Sequence, residues 1–476
     1  MRDYIQFYLN GEKQSVTGEL VSLNLSEFLR YQRNLRGTKV VCAEGDCGAC
    51  TVMVGRMNFL TGEVEYQSVN SCIYLVALLD GAHVVTIEGV KQNGELSEIQ
   101  KCMVDNNGAQ CGFCTPGFVM SLTDLYENKD EIDEKKCRNF LTGNLCRCTG
   151  YGTILDAALS VDKSKVVKLN KRYSENELLE FLKRTSLENI EIKTKDLEFY
   201  APNDYKTAVE LKSQFPNIRI VSSATDLGVQ INKDRFEPHR LLSLQNIREA
   251  YDLKIDTDYI QVGARVSLSS LEKAIEGKES ELSNFLKIFA SPQIKNVGTL
   301  VGNVANASPI GDTLPYLIVT DANVVLLGPS GERKVKFSSF YKAYKKMDMK
   351  PDELISRIEI PRIKNDEVVR IYKVSRRKDL DISSVNAAFK IKLINKVIED
   401  IQISYGGVGP TVLRLPSLEK DLIGKQFSAD VIREASHKIK NEITPMSDVR
   451  GSEEYRHLVA KNLLQRFYLE VERQNV

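Results

Sequence analysis

Cys42-Ala-Glu-Gly-Asp-Cys47-Gly-Ala-Cys50 is the stretch that decides how the first part of this chain folds. A fourth thiol follows at Cys72, so the group has C-x4-C-x2-C spacing, and 21 residues separate Cys50 from its last cysteine. A second group consists of Cys111-Gly-Phe-Cys114 and Cys146-Arg-Cys148, whose two halves are separated by 31 residues. Eight cysteines therefore fall into two sets of four.

The spacing of the first set is typical of a plant-type [2Fe–2S] cluster. Gly45 and Gly48 lie between its first three cysteines, and glycine lets a backbone adopt unusual dihedral angles and approach inorganic sulfide closely. The amide groups of such a loop can face an anionic cluster and tune its potential. Cys72 comes from a separate element and is expected to complete the site.

The second set lies at two predicted helix starts. Thr115-Pro116 has the character of an N-cap and first helical residue, which places Cys114 just before a helix. Gly143-Asn144 predicts a turn before Cys146, and Tyr151–Leu159 has a helical pattern. Two loops at helix ends can enclose one cluster, and the positive ends of the helices, with Arg147 between two thiolates, suit an anionic centre.

Structural zinc is the main alternative for paired cysteines in a cytosolic protein. Zinc sites usually contain two CxxC-like pairs, and neither set has two, so iron and sulfide are favoured. A disulfide framework is disfavoured because the chain is long and Met1-Arg-Asp-Tyr-Ile-Gln-Phe-Tyr-Leu-Asn contains no apolar signal core. A zinc-stabilised scaffold without redox function remains the rival from a different class.

Composition gives broader limits. The 476 residues suggest about three domains, and 42% hydrophobic with 27% charged residues is ordinary for a soluble protein. A net charge of +1 does not indicate a nucleic-acid partner, no apolar run is long enough to span a membrane, and we expect a cytoplasmic protein. Cys102 and Cys137 are predicted to be buried small hydrophobic residues. Four scattered histidines leave little material for a histidine metal site or a Ser-His-Asp triad.

Local patterns divide the first part of the chain. Alternating residues Ile5–Leu9 before Asn10-Gly11 predict a hairpin, Asn24–Glu27 resembles a capping box, and strands are predicted at 51–54, 64–69 and 84–87. Residues 1–88 are therefore expected to form a small β-grasp-like domain. Helical patterns predict a second domain over 89–161. Residues 162–196 are rich in lysine and glutamate and are predicted to be a linker with a short helix at 177–181.

The remainder is predicted to be α+β. The family resemblance described below divides it into an FAD-binding domain over 197–365 and a C-terminal subdomain over 366–476. A strand at 218–222 before Ser223–Gly228 could present backbone N–H groups to phosphate, although an ordinary strand–helix turn is the better interpretation of this pattern alone. Phe289–Asp312 is rich in small polar residues and is either a polar ligand groove or a long surface loop. Strands 356–360, 369–373, 387–393 and 401–405 predict a meander, followed by helices 428–442 and 452–472, the last with an apolar stripe of Leu458, Leu463, Phe467 and Val471.

These residues carry a family resemblance. Gln110-Cys-Gly-Phe-Cys-Thr-Pro-Gly117 and Gly143-Asn-Leu-Cys-Arg-Cys-Thr-Gly-Tyr151 resemble the iron–sulfur half of the xanthine dehydrogenase family of molybdenum hydroxylases. Phe289 with Asn296–Asp312 resembles that family's FAD domain. The resemblance implies an α+β multidomain fold with a β-grasp plant-type ferredoxin domain, a helical [2Fe–2S] domain, and a vanillyl-alcohol-oxidase-like FAD-binding domain with a C-terminal α+β subdomain.

The resemblance also implies the cofactor ligands. Two [2Fe–2S] clusters would be held by the eight cysteines of the two sets, and FAD by residues matched by position. The family often has glycine-rich sequence where this chain has Ser222-Ser223-Ala224, and Gly-Gly-Asn where this chain has Val301-Gly302-Asn303, so individual FAD contacts are expected to differ. The residues implied for FAD are Ile220, Val221, Ser222, Ser223, Ala224, Thr225, Asp226, Leu227, Phe289, Thr299, Leu300, Val301, Gly302, Asn303 and Asp312.

The implied activity is electron transfer, with no catalytic residue for substrate on this chain. Since no molybdenum domain follows Val476, the resemblance implies a small subunit whose molybdenum-binding large subunit carries molybdopterin and hydroxylates a purine, in a dimer of heterodimers. Electrons would cross both clusters to FAD and then reach NAD⁺, although oxygen as acceptor stays open. An aldehyde or nicotinate substrate also stays open. Carbon monoxide is less well supported, because carbon monoxide dehydrogenases usually keep their iron–sulfur and flavin domains on separate chains.

Overall fold

A computed structural model describes residues 2–59, 61–92, 94–184, 188–378 and 380–474. The chain divides into two compact units. The first contains Met1–Tyr251 and Ser291–Thr299, and the second contains Asp252–Ala290 and Leu300–Val476. The five-part division predicted from the sequence stays a prediction. Positions 185–187 of the predicted linker, and 379, 475 and 476 of the predicted C-terminal subdomain, lie outside the described residues.

The strands are short in the first unit and longer in the C-terminal sheet. In chain order they are β1 Ile5–Leu9, β2 Glu12–Val16, β3 Thr51–Met57, β4 Val64–Asn70, β5 His83–Val85, β6 Ile190–Lys193, β7 Glu198–Ala201, β8 Arg219–Val221, β9 Arg240–Ser243, β10 Leu253–Ile255, β11 Tyr259–Gly263, β12 Asn323–Gly328, β13 Gly331–Lys336, β14 Tyr341–Ala343, β15 Lys346–Met347, β16 Leu354–Pro361, β17 Glu367–Val374, β18 Val385–Ile394, β19 Val397–Gly406 and β20 Leu413–Arg414.

Most helices are short, and none in the described part of the chain is long and apolar enough to cross a membrane. In chain order they are α1 Leu25–Glu27, α2 Glu98–Asp105, α3 Thr115–Asn128, α4 Glu134–Phe140, α5 Gly152–Leu159, α6 Leu169–Arg172, α7 Asn176–Arg184, α8 Tyr205–Gln214, α9 Leu227–Asn232, α10 Leu268–Ile275, α11 Ser280–Ile288, α12 Pro292–Lys295, α13 Leu300–Asn306, α14 Leu314–Val319, α15 Pro416–Leu422, α16 Ala429–Lys438 and α17 Glu453–Gln474.

The N-terminal sheet has the strand order β2-β1-β5-β3-β4, with β1 and β5 parallel and the other neighbours antiparallel. Asn10 and Gly11 both have positive φ, of 52° and 90°, so the predicted two-residue turn is present. The Oδ1 atom of Asn24 accepts the Glu27 amide at 2.9 Å and starts α1. The last strand ends at Val85 rather than at the predicted residue 87, because a 3₁₀ turn begins at Ile87.

Four helices follow, as the sequence predicts. Ser97 and Gln100 form a capping box at the start of α2. The central helix α3 is buried along most of its length and packs with β3 and β4 around a core that includes Phe118, Leu122 and Ile154. Cys102 and Cys137 are buried in this core, so their predicted packing role is confirmed. The first unit ends in a sheet ordered β6-β7-β9-β8, in which β7, β9 and β8 are parallel.

The second unit contains two larger sheets. One has the order β10-β11-β16-β12-β13, and the other is the antiparallel meander β17-β18-β19-β20. The prediction that strand 356–360 belongs to the meander is wrong, since β16 pairs with β11 and β12. Helix α17 buries Leu463, Phe467 and Val471 against the meander core. Leu458 is 54% exposed, so its predicted place in the buried stripe is wrong.

His83 is a buried histidine within the N-terminal sheet. Its Nε2 atom accepts the Gly11 amide at 3.1 Å, so the proton of the neutral ring lies on Nδ1, which faces the Tyr66 hydroxyl oxygen at 2.7 Å. Burial lowers the pKa of His83 to about 3 from 6.5. The neutral ring is therefore part of the folded state.

We predict that His83 makes the first unit sensitive to acid. As the pH falls below 6.5, His83 becomes protonated in the unfolded chain, whereas in the folded protein the ring stays neutral until about pH 3. Stability is therefore fully present above pH 6.5 and is lost below it, by about 2 kcal/mol between pH 7 and pH 5 from this group. His83→Gln, which keeps an acceptor for Gly11, should show a correspondingly smaller loss in urea unfolding. His239→Gln, at an exposed position in the same unit, should behave like the unmodified chain; an equal loss in His83→Gln would contradict the assignment.

Candidate cofactor sites

The first thiol group lies at one end of the β3–β4 pair. Cys50 directly precedes β3 and Cys72 follows β4, and the register Thr51↔Asn70 brings these ends together. Gly45 and Gly48 have φ of 77° and 66°, so the loop uses the backbone freedom that the sequence indicated. Cys47, Cys50 and Cys72 are buried, and Cys42 is half-buried.

The four thiols interact as a chain of three neighbouring pairs, Cys47 with Cys42, Cys42 with Cys72, and Cys72 with Cys50. The pKa of Cys42 is lowered because the thiols of Cys47 and Cys72 donate to it, and the pKa of each of these donors is raised in turn. Cys72 is also hydrogen-bonded to Cys50, whose pKa is lowered. The structure therefore brings together the four residues that were predicted as one ligand set.

Polar side chains hold this loop in place. Asn70 donates from Nδ2 to the Gly45 carbonyl at 2.8 Å, and Ser71 donates to the Cys50 carbonyl at 2.6 Å. Asn232, at the end of α9, donates from Nδ2 to both the Ala43 and the Cys72 carbonyls at 2.8 Å. Asn232 was not predicted as part of the site, because no local pattern links it to a loop 189 positions away.

The second thiol group lies before α3 and α5. Cys114 itself is the N-cap residue of α3, one position earlier than predicted, with Thr115 as the first helical residue. Tyr151 precedes α5 with φ of 70°, and its hydroxyl accepts the Cys146 amide at 3.0 Å. The Sγ atoms of Cys111 and Cys148 are 3.5 Å apart, and both residues are exposed.

The thiols of this group have divergent pKa values. The pKa of Cys111 is lowered by the Phe113 amide and by the Cys148 thiol, whose own pKa is raised by that hydrogen bond. Burial raises the pKa of Cys114 to about 12, and a hydrogen bond with Cys146 adds to the shift. Burial acts to raise the pKa of Cys146, but hydrogen bonds from the hydroxyl and amide of Thr149 outweigh burial, so the pKa of Cys146 is lowered. The four predicted ligands are again mutual neighbours.

The donor chemistry of both groups fits an iron–sulfur cluster. Each offers four thiols, the ligand set that a [2Fe–2S] cluster requires. Among residues 2–474, where described, no group of three or more His, Cys, Asp and Glu side chains is arranged around a position for a single metal ion.

The two thiol loops contact each other directly. The Leu145 amide donates to the Cys47 carbonyl at 3.0 Å, and Asn144 donates from Nδ2 to the Gly48 carbonyl at 3.1 Å. Gly48 leaves no room for a side chain, since a Cβ there would lie 2.3 Å from the Gly143 carbonyl oxygen. The backbones of the two predicted ligand sets are therefore in hydrogen-bond contact.

The predicted FAD residues of the first unit form a strand, a loop and a helix start. Ile220 and Val221 end β8, the loop runs through Ser222–Thr225, and Asp226 precedes α9, which starts at Leu227. Ala224 has φ of 62°, and Ser223 and Ala224 are buried. The hydroxyls of Ser222 and Thr299 are 3.4 Å apart, so the structure brings two separate predicted segments together.

The other predicted FAD residues belong to the second unit. Phe289 is buried and follows α11, while Leu300, Val301, Gly302 and Asn303 form the first turn of α13. Asn303 accepts on Oδ1 a hydrogen bond of 2.7 Å from Thr313, the neighbour of Asp312. The structure therefore joins the α13 segment to the Asp312 segment.

Asp312 has partners that the sequence analysis missed. Lys373 donates from Nζ to its Oδ2 at 2.5 Å, and Ser383 and Asn386 donate to its Oδ1 at 2.6 and 2.9 Å. The Lys373 side chain is only 1% exposed. A lysine within the apolar strand 369–373 was the one available signal, because a buried lysine requires an anionic partner.

Removing Lys373 is predicted to destabilise the second unit. Lys373→Met would leave the Asp312 carboxylate buried without its counter-charge, at a cost of about 3–5 kcal/mol in free energy of unfolding. Lys392→Met on the neighbouring strand is the control: the Lys392 side chain is 31% exposed and its ion pairs are screened by solvent, so its loss should cost far less than the loss of Lys373. Urea unfolding followed by far-UV circular dichroism measures the free energy of unfolding of both variants. Equal losses in the two variants would show that the Lys373–Asp312 ion pair stabilises the fold no more than an exposed ion pair does.

Three domain families match the chain. The [2Fe-2S] binding domain matches residues 86–159, the FAD binding domain in molybdopterin dehydrogenase matches residues 193–363, and the CO dehydrogenase flavoprotein C-terminal domain matches residues 370–471. The matches define a chain with a [2Fe–2S]-binding and an FAD-binding domain.

The relatives are large oxidoreductases. Xanthine dehydrogenase of Emericella nidulans is 30% identical over 527 residues, covering 98% of this chain and 39% of that protein. Aldehyde oxidase 4 of Cavia porcellus is 28% identical over 529 residues, covering 99% of this chain and 39% of that protein. This chain thus spans about two fifths of the length of these relatives.

A solved structure shares the fold. A carbon monoxide dehydrogenase from Hydrogenophaga pseudoflava, 23% identical, aligns with a TM-score of 0.54 over 57% of this chain and 95% of its own. This likeness shows the fold alone. The domain matches and the relatives indicate that the chain carries the [2Fe–2S]-binding and FAD-binding domains of the molybdenum hydroxylase family. The family and fold class predicted from the sequence are confirmed.

Proposed function

We propose that this chain is the electron-transfer subunit of a xanthine dehydrogenase. The observation that carries the proposal is the convergence of eight cysteines into two groups of four, whose loops are hydrogen-bonded through Leu145 and Cys47. When bound, [2Fe–2S] clusters carry single electrons and FAD collects them in pairs, so the chemistry belongs to the cofactors. The residues of the chain supply ligands, spacing and electrostatics.

In this proposal each thiol group holds one cluster. Cys111, Cys114, Cys146 and Cys148 hold the cluster that receives electrons, and their exposure is compatible with a donor on another chain. Cys42, Cys47, Cys50 and Cys72 hold the second, more deeply buried cluster. Amide donors around the sulfurs, such as those of Phe113 and Thr149, favour the thiolate form that iron requires.

The flavin end of the path begins beside the first thiol group. Asn232 hydrogen-bonds the Cys72 carbonyl, and it ends the same short helix, α9, that starts at the proposed FAD loop Ser222–Leu227. Gly228 packs against the Ile73 backbone so closely that a Cβ would lie 2.3 Å from the Ile73 carbonyl oxygen. The proposed FAD residues are those predicted from the sequence, Ile220–Leu227 with Thr299 in the first unit and Phe289, Leu300–Asn303 and Asp312 in the second.

We further propose a partner and an acceptor. A molybdenum-binding large subunit would hydroxylate a purine and supply electrons from molybdopterin, in a dimer of heterodimers, and FAD would pass a hydride to NAD⁺. The similarity to xanthine dehydrogenases supports a purine, whereas the similarity to an aldehyde oxidase supports an aldehyde as the second candidate. None of the ten cysteines, all of which lie in the described residues, forms a disulfide, which is compatible with a reducing cytoplasm.

Replacing one ligand is predicted to remove one cluster. Cys47→Ser should lose about two of about four irons per chain and part of the visible absorption that dithionite bleaches, while FAD stays bound. Cys102→Ala, at a buried cysteine outside both groups, should keep the iron content of the unmodified chain. Iron analysis and visible spectra measure both. An unchanged spectrum and iron content in Cys47→Ser would show that Cys47 is not a ligand.

A further inference from the structure

Gln293 is a buried amide at the junction of the two thiol loops. It lies in α12, within the segment Ser291–Thr299 of the first unit, and its side chain is fully buried. Its Nε2 atom lies 2.9 Å from Asn144 Oδ1 and 2.9 Å from Ser121 Oγ, with Thr51 Oγ1 further away at 3.5 Å. The two hydrogens of the amide group are thus accounted for by the two short contacts.

These contacts fix the orientation of Asn144. Its Oδ1 accepts from Gln293 and also from the Ser121 hydroxyl at 2.6 Å, so its Nδ2 must face the other way, toward the Gly48 carbonyl. Thr51 donates to the same carbonyl at 2.6 Å. Gln293 therefore orients the side chain that connects the two thiol loops beside the Leu145–Cys47 hydrogen bond.

The backbone and side chains at this junction are closely packed. A Cβ on Gly143 would lie 2.2 Å from Gln293 Oε1, and a Cβ on Gly117 would lie 2.1 Å from the Gly48 carbonyl oxygen. In the described part of the chain, Gln293 Oε1 has no hydrogen-bond donor. A buried oxygen without a hydrogen-bond donor destabilises the folded state. The favourable hydrogen bonds of this side chain are therefore those donated by Nε2.

We propose that Gln293 is a positioning residue for electron transfer between the two clusters, an inference that rests on the proposed function. In that step one electron leaves the cluster held by Cys111, Cys114, Cys146 and Cys148 and enters the other, and no bond forms or breaks. The hydrogen bonds of the Gln293 side chain within the described residues are to Thr51, Ser121 and Asn144, not to a cysteine. It acts by holding Asn144, and through it the Leu145–Cys146 backbone, against Cys47 and Gly48.

The test compares Gln293→Met with Gln245→Met in the chain loaded with iron and FAD. Gln245 is the matched control, because it is also a buried amide of the first unit. Among the residues that the structure describes, its Oε1 has no donor and its Nε2 donates to the Ala77 carbonyl at 3.3 Å. Two readouts are required. One is the magnetic splitting between the two fully reduced clusters in the electron paramagnetic resonance spectrum, and the other is hydrogen exchange of the peptide that contains the Leu145 amide.

Gln293→Met is expected to retain its iron, to lose or narrow the splitting, and to exchange the Leu145 amide faster, while Gln245→Met keeps the properties of the unmodified chain. Asn144→Asp, which removes the donor to Gly48, should have the same effect, and the double variant should add little to either single change. Should Gln293→Met fail to load iron, Ser121→Ala serves instead, since it removes one partner of the network and should narrow the splitting less.

An unchanged splitting and unchanged Leu145 exchange in the iron-loaded Gln293→Met chain would overturn the proposal. The same holds if Ser121→Ala, used in its place, leaves both readouts unchanged. Failure of the proposed function is a separate result, because it would appear as an unmodified chain that takes up neither iron nor FAD. Equal changes in Gln293→Met and Gln245→Met would also contradict the inference, since they would reflect a general loosening of the first unit.

Discussion

The hydrogen bond from the Leu145 amide to the Cys47 carbonyl is the contact on which the proposed electron path depends. It joins two loops that are almost 100 positions apart in the sequence, each of which carries cysteines of a different group. A backbone hydrogen bond has a narrow range of length and angle, so it fixes the separation of the loops more tightly than side-chain packing alone. Glycine is needed at 48 and 117 because a Cβ there would clash with the carbonyl oxygens of Gly143 and Gly48, and at 143 because a Cβ there would clash with the Gln293 side chain.

The strands and helices of the first unit carry the two thiol loops that this hydrogen bond joins. The β3–β4 pair brings Cys50 and Cys72 together, and α3 and α5 start at the second thiol group. Helix α9 then contacts the Cys72 carbonyl through Asn232. The contacts therefore run from the loop of the second thiol group, through the first thiol group, to the helix that follows the loop proposed for FAD, in the same order as the proposed electron transfer.

Sequence patterns predicted the features that depend on neighbouring residues. The two thiol groups, the Asn10-Gly11 turn and the helix after Cys114 are local, because spacing, turn residues and capping residues decide them. Features set by distant pairing were missed. The pairing of β16 with β11 and β12, the Lys373 partner of Asp312, and the positions of Asn232 and Gln293 all depend on residues far away in the chain. The segment Ser291–Thr299 belongs to the first unit although the residues on both sides of it belong to the second, and no composition change marks that exchange.

The most direct test of the account is the content of iron, zinc and flavin in the purified chain, with a visible spectrum recorded before and after dithionite. The account predicts about four irons and one FAD per chain, with visible absorption that bleaches on reduction. Zinc in place of iron, with no flavin and no visible absorption, would contradict it and would leave a family fold that has lost its redox chemistry.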